Sequence, residues 1–181
     1  MPHSKGLIVS VFGSNAPKEG KPGYEDARRL GRLLGQAGYV VATGGYAGTM
    51  EGTSRGAQEA GAHVIGVTTS VFDAIRLGPN PYLDEEIKFP TLVQRLHYLV
   101  TLADAWVALP GGVGTLSEVA LTWSLLQVGE VARRPFVVVG ETWRRLLQEF
   151  SHSDHVKPQY RDLIRYAEDV DQVPPLLKRG E

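Results

Sequence analysis

The chain has 181 residues, 43% hydrophobic and 22% charged, with a formal net charge of −1. This balance fits one packed domain over 1–181 and provides no basic excess for nucleic acid or an anionic membrane. Cysteine is absent, which excludes disulfides, thiolate nucleophiles and cysteine metal sites.

Taken in chain order, the first predicted strand is 7-LIVSVF-12, running into 13-GSNA-16. A helix over 24–38 ends at Gly38, and a strand follows at 39-YVVAT-43. The loop 43-TGGYAGTME-51 opens a helix over 49–61, stopped by Gly61, before a third strand at 63-HVIGVT-68. The polar connection over 69–86 has the composition of a lid or pocket wall. A helix over 91–103 leads to a strand at 105-AWVAL-109, and 110-PGGVGTLSE-118 opens a helix over 115–129. Beyond a strand at 136-FVVV-139, helices are predicted over 142–150 and 158–169. The tail over 171–181 docks as a short helix or frays.

These strands are apolar on both faces, as parallel strands covered by helices must be. The alternation predicts an α/β fold, a Rossmann-like, doubly wound parallel sheet in three layers. Ligands bind such sheets beyond the carboxyl ends of the strands. The candidate binding residues there are Gly13 and Ser14, then Gly44, Gly45, Gly48 and Thr49, then Pro110, Gly111, Gly112, Val113, Gly114 and Thr115.

No loop fits a familiar cofactor pattern. The Gly-Lys-Ser/Thr ending of a Walker loop is missing, and strand one does not end in G-x-G-x-x-G. No cofactor is therefore expected. A single phosphate remains compatible, because glycines let backbone amides approach an anion and the next helix adds its positive end. For 43-TGGYAGTME-51, Glu51 at the helix start would repel phosphate, so this loop either meets a neutral part of a ligand or permits close helix–strand packing.

Glu118 is the only charged residue from Ala105 through Gly129. Thr115-Leu116-Ser117-Glu118 matches a capping box, S/T-x-x-E, in which the acid folds back on its own helix end. Its helix, however, is apolar in nearly every direction, and a lone acid there is expensive unless paired or used. Arg95 lies at the edge of the apolar stripe through Leu92, Leu96, Leu99 and Ala103. It either has an anionic partner in packed structure or lies over the core with its head in water. The all-round apolar helix also predicts a homodimer that pairs helices 115–129.

The five histidines are scattered, and 152-HSDH-155 reads as a polar loop, so no metal is expected. No apolar run approaches the roughly 20 residues of a membrane span, and MPHSKGLIVS lacks the layout of a signal peptide. The expected location is the cytoplasm.

With these residues in view, 110-PGGVGTLSE-118 resembles the PGGxGTxxE signature of the LOG ("Lonely guy") family, long labelled possible lysine decarboxylase. The segments 44-GGYAGTME-51, 56-GAQEAGAHVIGV-67 and 12-FGSN-15 are similar to the family's other segments, and the resemblance covers roughly residues 6 to 140. It implies a cytokinin riboside 5′-monophosphate phosphoribohydrolase that cleaves AMP, or N6-substituted AMP, into free base and ribose 5-phosphate. It implies Arg95 and Glu118 as the catalytic pair, a nucleoside monophosphate as substrate, and a dimer or larger assembly. The family carries lysine directly after that arginine, and here the position is Leu96. A related branch resembles molybdenum-cofactor carriers, which bind without hydrolysing. Lysine decarboxylation itself is set aside, because a pyridoxal-phosphate enzyme needs a Schiff-base lysine and the glycine loops hold none.

Overall fold

The computed structural model describes residues 6–73, 75 and 78–178. Its centre is a seven-stranded sheet in the order β4-β3-β2-β1-β5-β6-β7, every pair parallel. The strands are β1 (Ile8–Phe12), β2 (Val40–Thr43), β3 (Val64–Thr69), β4 (Glu85–Phe89), β5 (Ala105–Ala108), β6 (Phe136–Val139) and β7 (Arg165–Ala167). The helices are α1 (Pro22–Gln36), α2 (Thr49–Glu59), α3 (Leu92–Thr101), α4 (Val113–Val128), α5 (Glu141–Ser151) and a short α6 (Val173–Leu176).

The inner strands β1, β2, β3, β5 and β6 are buried almost throughout, as their unbroken apolar runs require. Alternate residues feed two cores. Val9, Val11, Val41 and Val107 pack against Ala27, Leu30 and Leu34 of α1 on one face. Phe12, Ala42, Trp106 and Val138 pack against Leu99 of α3, Val119 of α4 and Trp143 of α5 on the other. The sheet is thus covered on both sides, as the Rossmann-like reading expects. Strand order reverses between β1 and β5, which are hydrogen-bonded neighbours, so the loops after these two strands diverge and leave a crevice.

Two edge strands were not predicted. β4, Glu-Glu-Ile-Lys-Phe, alternates half-buried with exposed residues, and its first two residues are the last two of the 69–86 connection read as a polar lid or pocket wall. β7 falls inside the helix predicted over 158–169. The segment instead forms a 3-10 turn over Pro158–Leu163 and then pairs with β6. The tail docks: Val170, Val173 and Leu177 are buried against the α1 face. Of the stretches singled out in the sequence, residues 74, 76 and 77 of the connection and 179–181 of the tail lie outside the described residues.

Candidate functional site

The stretch 110-PGGVGTLSE-118 follows β5 at the crevice. Helix α4 begins at Val113 with Gly112 as its N-cap, and no side chain caps it. This corrects the capping-box reading. Thr115 and Glu118 are already inside the helix, so Glu118 does not fold back on the helix end. The first amides of α4 instead open toward the crevice, bordered by Gly112, Val113 and Gly114, all exposed. A Cβ on Gly112 or Gly114 would meet nothing within 4 Å, whereas one on Gly111 would lie 2.1 Å from Thr115 Oγ1. Gly111 is therefore a packing glycine, and Gly112 and Gly114 face open space. Trp143 Nε1 donates to the Leu109 carbonyl at 2.8 Å and fixes the end of β5.

Glu118 is turned toward α3. Arg95 Nη1 donates to Glu118 Oε1 at 2.7 Å, and Arg95 Nε donates to the Val67 carbonyl, within β3, at 2.9 Å. Both residues are 5% exposed. Burial, opposed by the Arg95 charge and hydrogen bond, pushes the Glu118 carboxyl above its usual range. The guanidinium lies over Gly44, where a Cβ would come within 2.0 Å of Arg95 Nη2 and 2.5 Å of Met50 Sδ. Only glycine at 44 leaves that space.

Arg95 and Glu118 border a cavity of about 450 Å³. At one end are Gly112, Val113, Gly114, Thr115 and Ser117 of the α4 start. Gly13, Ser14 and Asn15 come from the loop after β1. At the other end are Tyr46, Met50 and Phe72, with Leu92, Val93 and Leu96 of α3 at the side. Among the predicted site residues, Gly13, Ser14, Arg95, Gly112, Val113, Gly114, Thr115 and Glu118 are brought together here.

Gly44, Gly45, Gly48, Thr49, Pro110 and Gly111 do not line this cavity. Gly45 packs on Thr68 and Gly66, and Gly48 on Ser14 and Asn15, each with positive φ. Thr49 is tied by its amide and hydroxyl to the Ser14 carbonyl, at 2.8 and 3.0 Å. These residues shape the loops from behind. Of the two readings of the second glycine loop, close packing describes its glycines. Glu51 accepts from Tyr24 Oη at 3.0 Å.

Sequence reasoning missed Asn15, Tyr46, Met50, Phe72, Leu92, Val93, Leu96 and Ser117 as lining residues. Tyr46, between glycines in an otherwise small-residue loop, was the available signal. No lysine among the described residues lines the cavity. Among the described residues, no group of three or more His, Asp and Glu is placed to hold a metal ion. No helix there is long and apolar enough to cross a membrane.

Helix α4 is less completely covered than its composition suggested. Val119, Thr122, Trp123, Leu125 and Leu126 are buried, but Val113 is 81%, Leu116 39% and Val128 66% exposed. The uncovered face continues through Ala120 and Ser124.

Residues 50–177 match the family model described as possible lysine decarboxylase. A cytokinin riboside 5′-monophosphate phosphoribohydrolase of Rhodococcoides fascians is 30% identical over 171 residues, covering 90% of this chain and 85% of that protein. A pyrimidine/purine nucleotide 5′-monophosphate nucleosidase of Escherichia coli K12 is 28% identical over 96% of this chain, which spans 42% of the nucleosidase. Among solved structures, the molybdenum cofactor carrier protein of Chlamydomonas reinhardtii superposes with a TM-score of 0.72 at 25% identity, covering 97% of this chain and 100% of the carrier.

Proposed function

Since the chain belongs to the family described as possible lysine decarboxylase, the LOG family, we propose that it is a nucleoside 5′-monophosphate phosphoribohydrolase. Its substrate is AMP or an N6-substituted AMP, and its products are the free base and ribose 5-phosphate. The observation that carries this reading is the buried Arg95–Glu118 pair at the wall of the cavity, beside the glycine start of α4. The start of α4 suits an anion, and the wall beside it holds a carboxylate.

The 5′-phosphate sits against the first amides of α4, where the unpaired N–H groups and the helix dipole attract it. That places C1′ toward Glu118. As the C1′–N bond lengthens, its electron pair leaves with the base and positive charge grows on the ribose, as in glycoside cleavage. Ionised Glu118 stabilises that charge and takes a proton from the attacking water. The water oxygen bonds to C1′ while the departing base nitrogen gains a proton, so the atoms of one water molecule are divided between the two products. Arg95 orients Glu118, and its charge opposes the burial that favours the neutral acid. Because no lysine among the described residues borders the cavity, lysine decarboxylation by a Schiff base has no support here.

The protein works as a homodimer pairing the uncovered face of α4. Exposed Val113, Leu116 and Val128 on one helix are apolar surface that a second copy buries. The expected location remains the cytoplasm, and no nucleic-acid partner is invoked.

A second reading, binding of a nucleotide or molybdenum cofactor without hydrolysis, is favoured by the whole-length likeness to the carrier of Chlamydomonas reinhardtii. The test is a panel of nucleosides and their mono-, di- and triphosphates assayed for free base. The hydrolase reading expects release from monophosphates and little from nucleosides or triphosphates. Tight binding of AMP with no base released overturns it in favour of the carrier.

A further inference from the structure

Between β3 and β4 the chain crosses the carboxyl edge of the sheet. Among the described residues of 70–81, Asn80 alone is buried, and it does not line the cavity. Its hydrogen bonds lead to the neighbouring loop, to Ser54 of α2 and to its own turn. The Asn80 amide donates to the Gly45 carbonyl at 2.8 Å. Nδ2 donates to the Tyr46 carbonyl at 3.1 Å and reaches Ser54 Oγ at 3.5 Å, while Oδ1 accepts from the Tyr82 amide at 3.1 Å. Ser54 Oγ lies 3.2 Å from Thr43 Oγ1, which accepts from the Gly45 amide at 3.1 Å. One asparagine therefore ties the connection after β3 to the glycine loop after β2, at a point where Gly45 holds a φ of 76°.

On the cavity side of this tie stand Tyr46 and Phe72. Tyr46 Oη donates to the Thr69 carbonyl at 3.0 Å and accepts from the Thr69 amide at 2.9 Å. The Phe72 ring meets Tyr46 edge-on, with centroids 5.6 Å apart. They are the two aromatic residues bordering the cavity, at the end away from the start of α4. Every nucleobase has a flat π-face, and aromatic side chains bind it without demanding one sequence of hydrogen bonds.

We propose that Asn80 is a positioning residue that sets the Tyr46–Phe72 wall, and that this wall receives the base of the nucleotide. The inference rests on the nucleotide reading above. Asparagine suits the position because Tyr46 and Ser54 need a donor and the Tyr82 amide needs an acceptor, and one amide side chain supplies both. Aspartate would keep the acceptor and lose both donors, turning a carboxylate oxygen toward the Tyr46 carbonyl. The wall meets the base and not the phosphate, so Asn80 acts on the recognition of the whole nucleotide and leaves the ribose 5-phosphate half alone.

The test is calorimetric titration of Glu118→Gln, alone and combined with Asn80→Ala or Asn80→Asp, with AMP and, separately, with ribose 5-phosphate, alongside steady-state kinetics of wild type and the two single Asn80 variants and amide hydrogen exchange. With either Asn80 substitution AMP affinity is expected to fall about tenfold, as for loss of a buried hydrogen-bond partner. Ribose 5-phosphate affinity stays at the Glu118→Gln value, KM for AMP rises and kcat holds. Exchange quickens at 44–48 and 69–73, with the Tyr82 amide added in Asn80→Ala because it loses Oδ1 as acceptor, and nowhere else. An equal loss for both ligands makes Asn80 a general stability residue and overturns the proposal, as does unchanged AMP affinity. If Glu118→Gln binds no AMP, the nucleotide reading and the base wall both fall, and the exchange data still decide the tie.

Discussion

Arg95 Nη1 lies 2.7 Å from Glu118 Oε1, and this contact joins α3 to α4 inside the cavity wall. Each side chain answers a question raised by the other. The arginine at the edge of an apolar stripe finds an anion, and the lone acid of an apolar helix finds a cation. A buried pair of this kind is weak evidence for stability, because desolvation offsets much of the attraction. Its place beside a cavity makes it a candidate for chemistry.

Glu118→Gln should stop base release while leaving nucleotide binding intact. The amide keeps an oxygen for Arg95 Nη1 but cannot take a proton from water. Removing one partner of a buried pair outright costs about 3–5 kcal/mol, and the retained acceptor should hold the loss well below that. Arg95→Ala should also stop release, and it removes the bond to the Val67 carbonyl as well. Urea denaturation beside a base-release assay checks both. A Glu118→Gln variant with full activity would remove Glu118 from the mechanism.

The pH dependence has a definite sign. Desolvation raises the Glu118 pKa in the folded protein above its unfolded value. The folded state then holds this proton more tightly than the unfolded chain. The associated stability is present below the unfolded glutamate pKa and is lost as pH rises through the folded value. Relative to Glu118→Gln, wild type should therefore lose stability as pH rises over that window. Activity runs the other way, since the ionised carboxylate is the working form. The acid limb of kcat/KM should lie above the ordinary glutamate range. Denaturation of both proteins across pH, with rate profiles, checks this. A wild type that gains relative stability with rising pH would mean that Arg95 outweighs burial.

Much of the fold was legible, for a physical reason. The inner strands are covered on both faces, so their sequences are unbroken apolar runs. β4 is an edge strand with Glu85, Glu86 and Lys88, and its polarity hid it among loop residues. β7 has three residues and follows a proline-led 3-10 turn, so a helical pattern over 158–169 outweighed it. At the site, Arg95 and Glu118 stood out because charge among apolar residues is costly. Tyr46 and Phe72 did not, because an aromatic residue in a loop carries no such contrast. The capping box misled because S/T-x-x-E says nothing about where a helix begins, and α4 starts at Val113, two residues before Thr115.

Two glycines separate packing from binding. Gly44→Ala would drive a Cβ to 2.0 Å from Arg95 Nη2. The guanidinium must move, and overpacking of this sort costs about 1–3 kcal/mol. Activity should fall with the displaced pair. Gly112→Ala meets no atom within 4 Å, so stability should change little. Its methyl group enters the space assigned to the phosphate, and AMP affinity should drop. Thermal denaturation and titration of the two variants check the contrast. Gly112→Ala with wild-type affinity would place the phosphate elsewhere.

The uncovered face of α4 predicts the assembly. Sedimentation equilibrium of wild type should give a dimer. Val128→Asp puts a charge on a residue 66% exposed in the single chain, so the fold should survive and the dimer should dissociate. A wild type that sediments as a stable monomer would refute the pairing of these helices.

The reaction we propose for the Arg95–Glu118 cavity is cleavage of an N-glycosidic bond. Single-turnover incubation of excess protein with AMP, with adenine and ribose 5-phosphate both quantified, tests it most directly. Wild type should give the two products in equal amounts, and Glu118→Gln should give none although it binds AMP. Wild-type protein that saturates with AMP and returns it intact would contradict the claim.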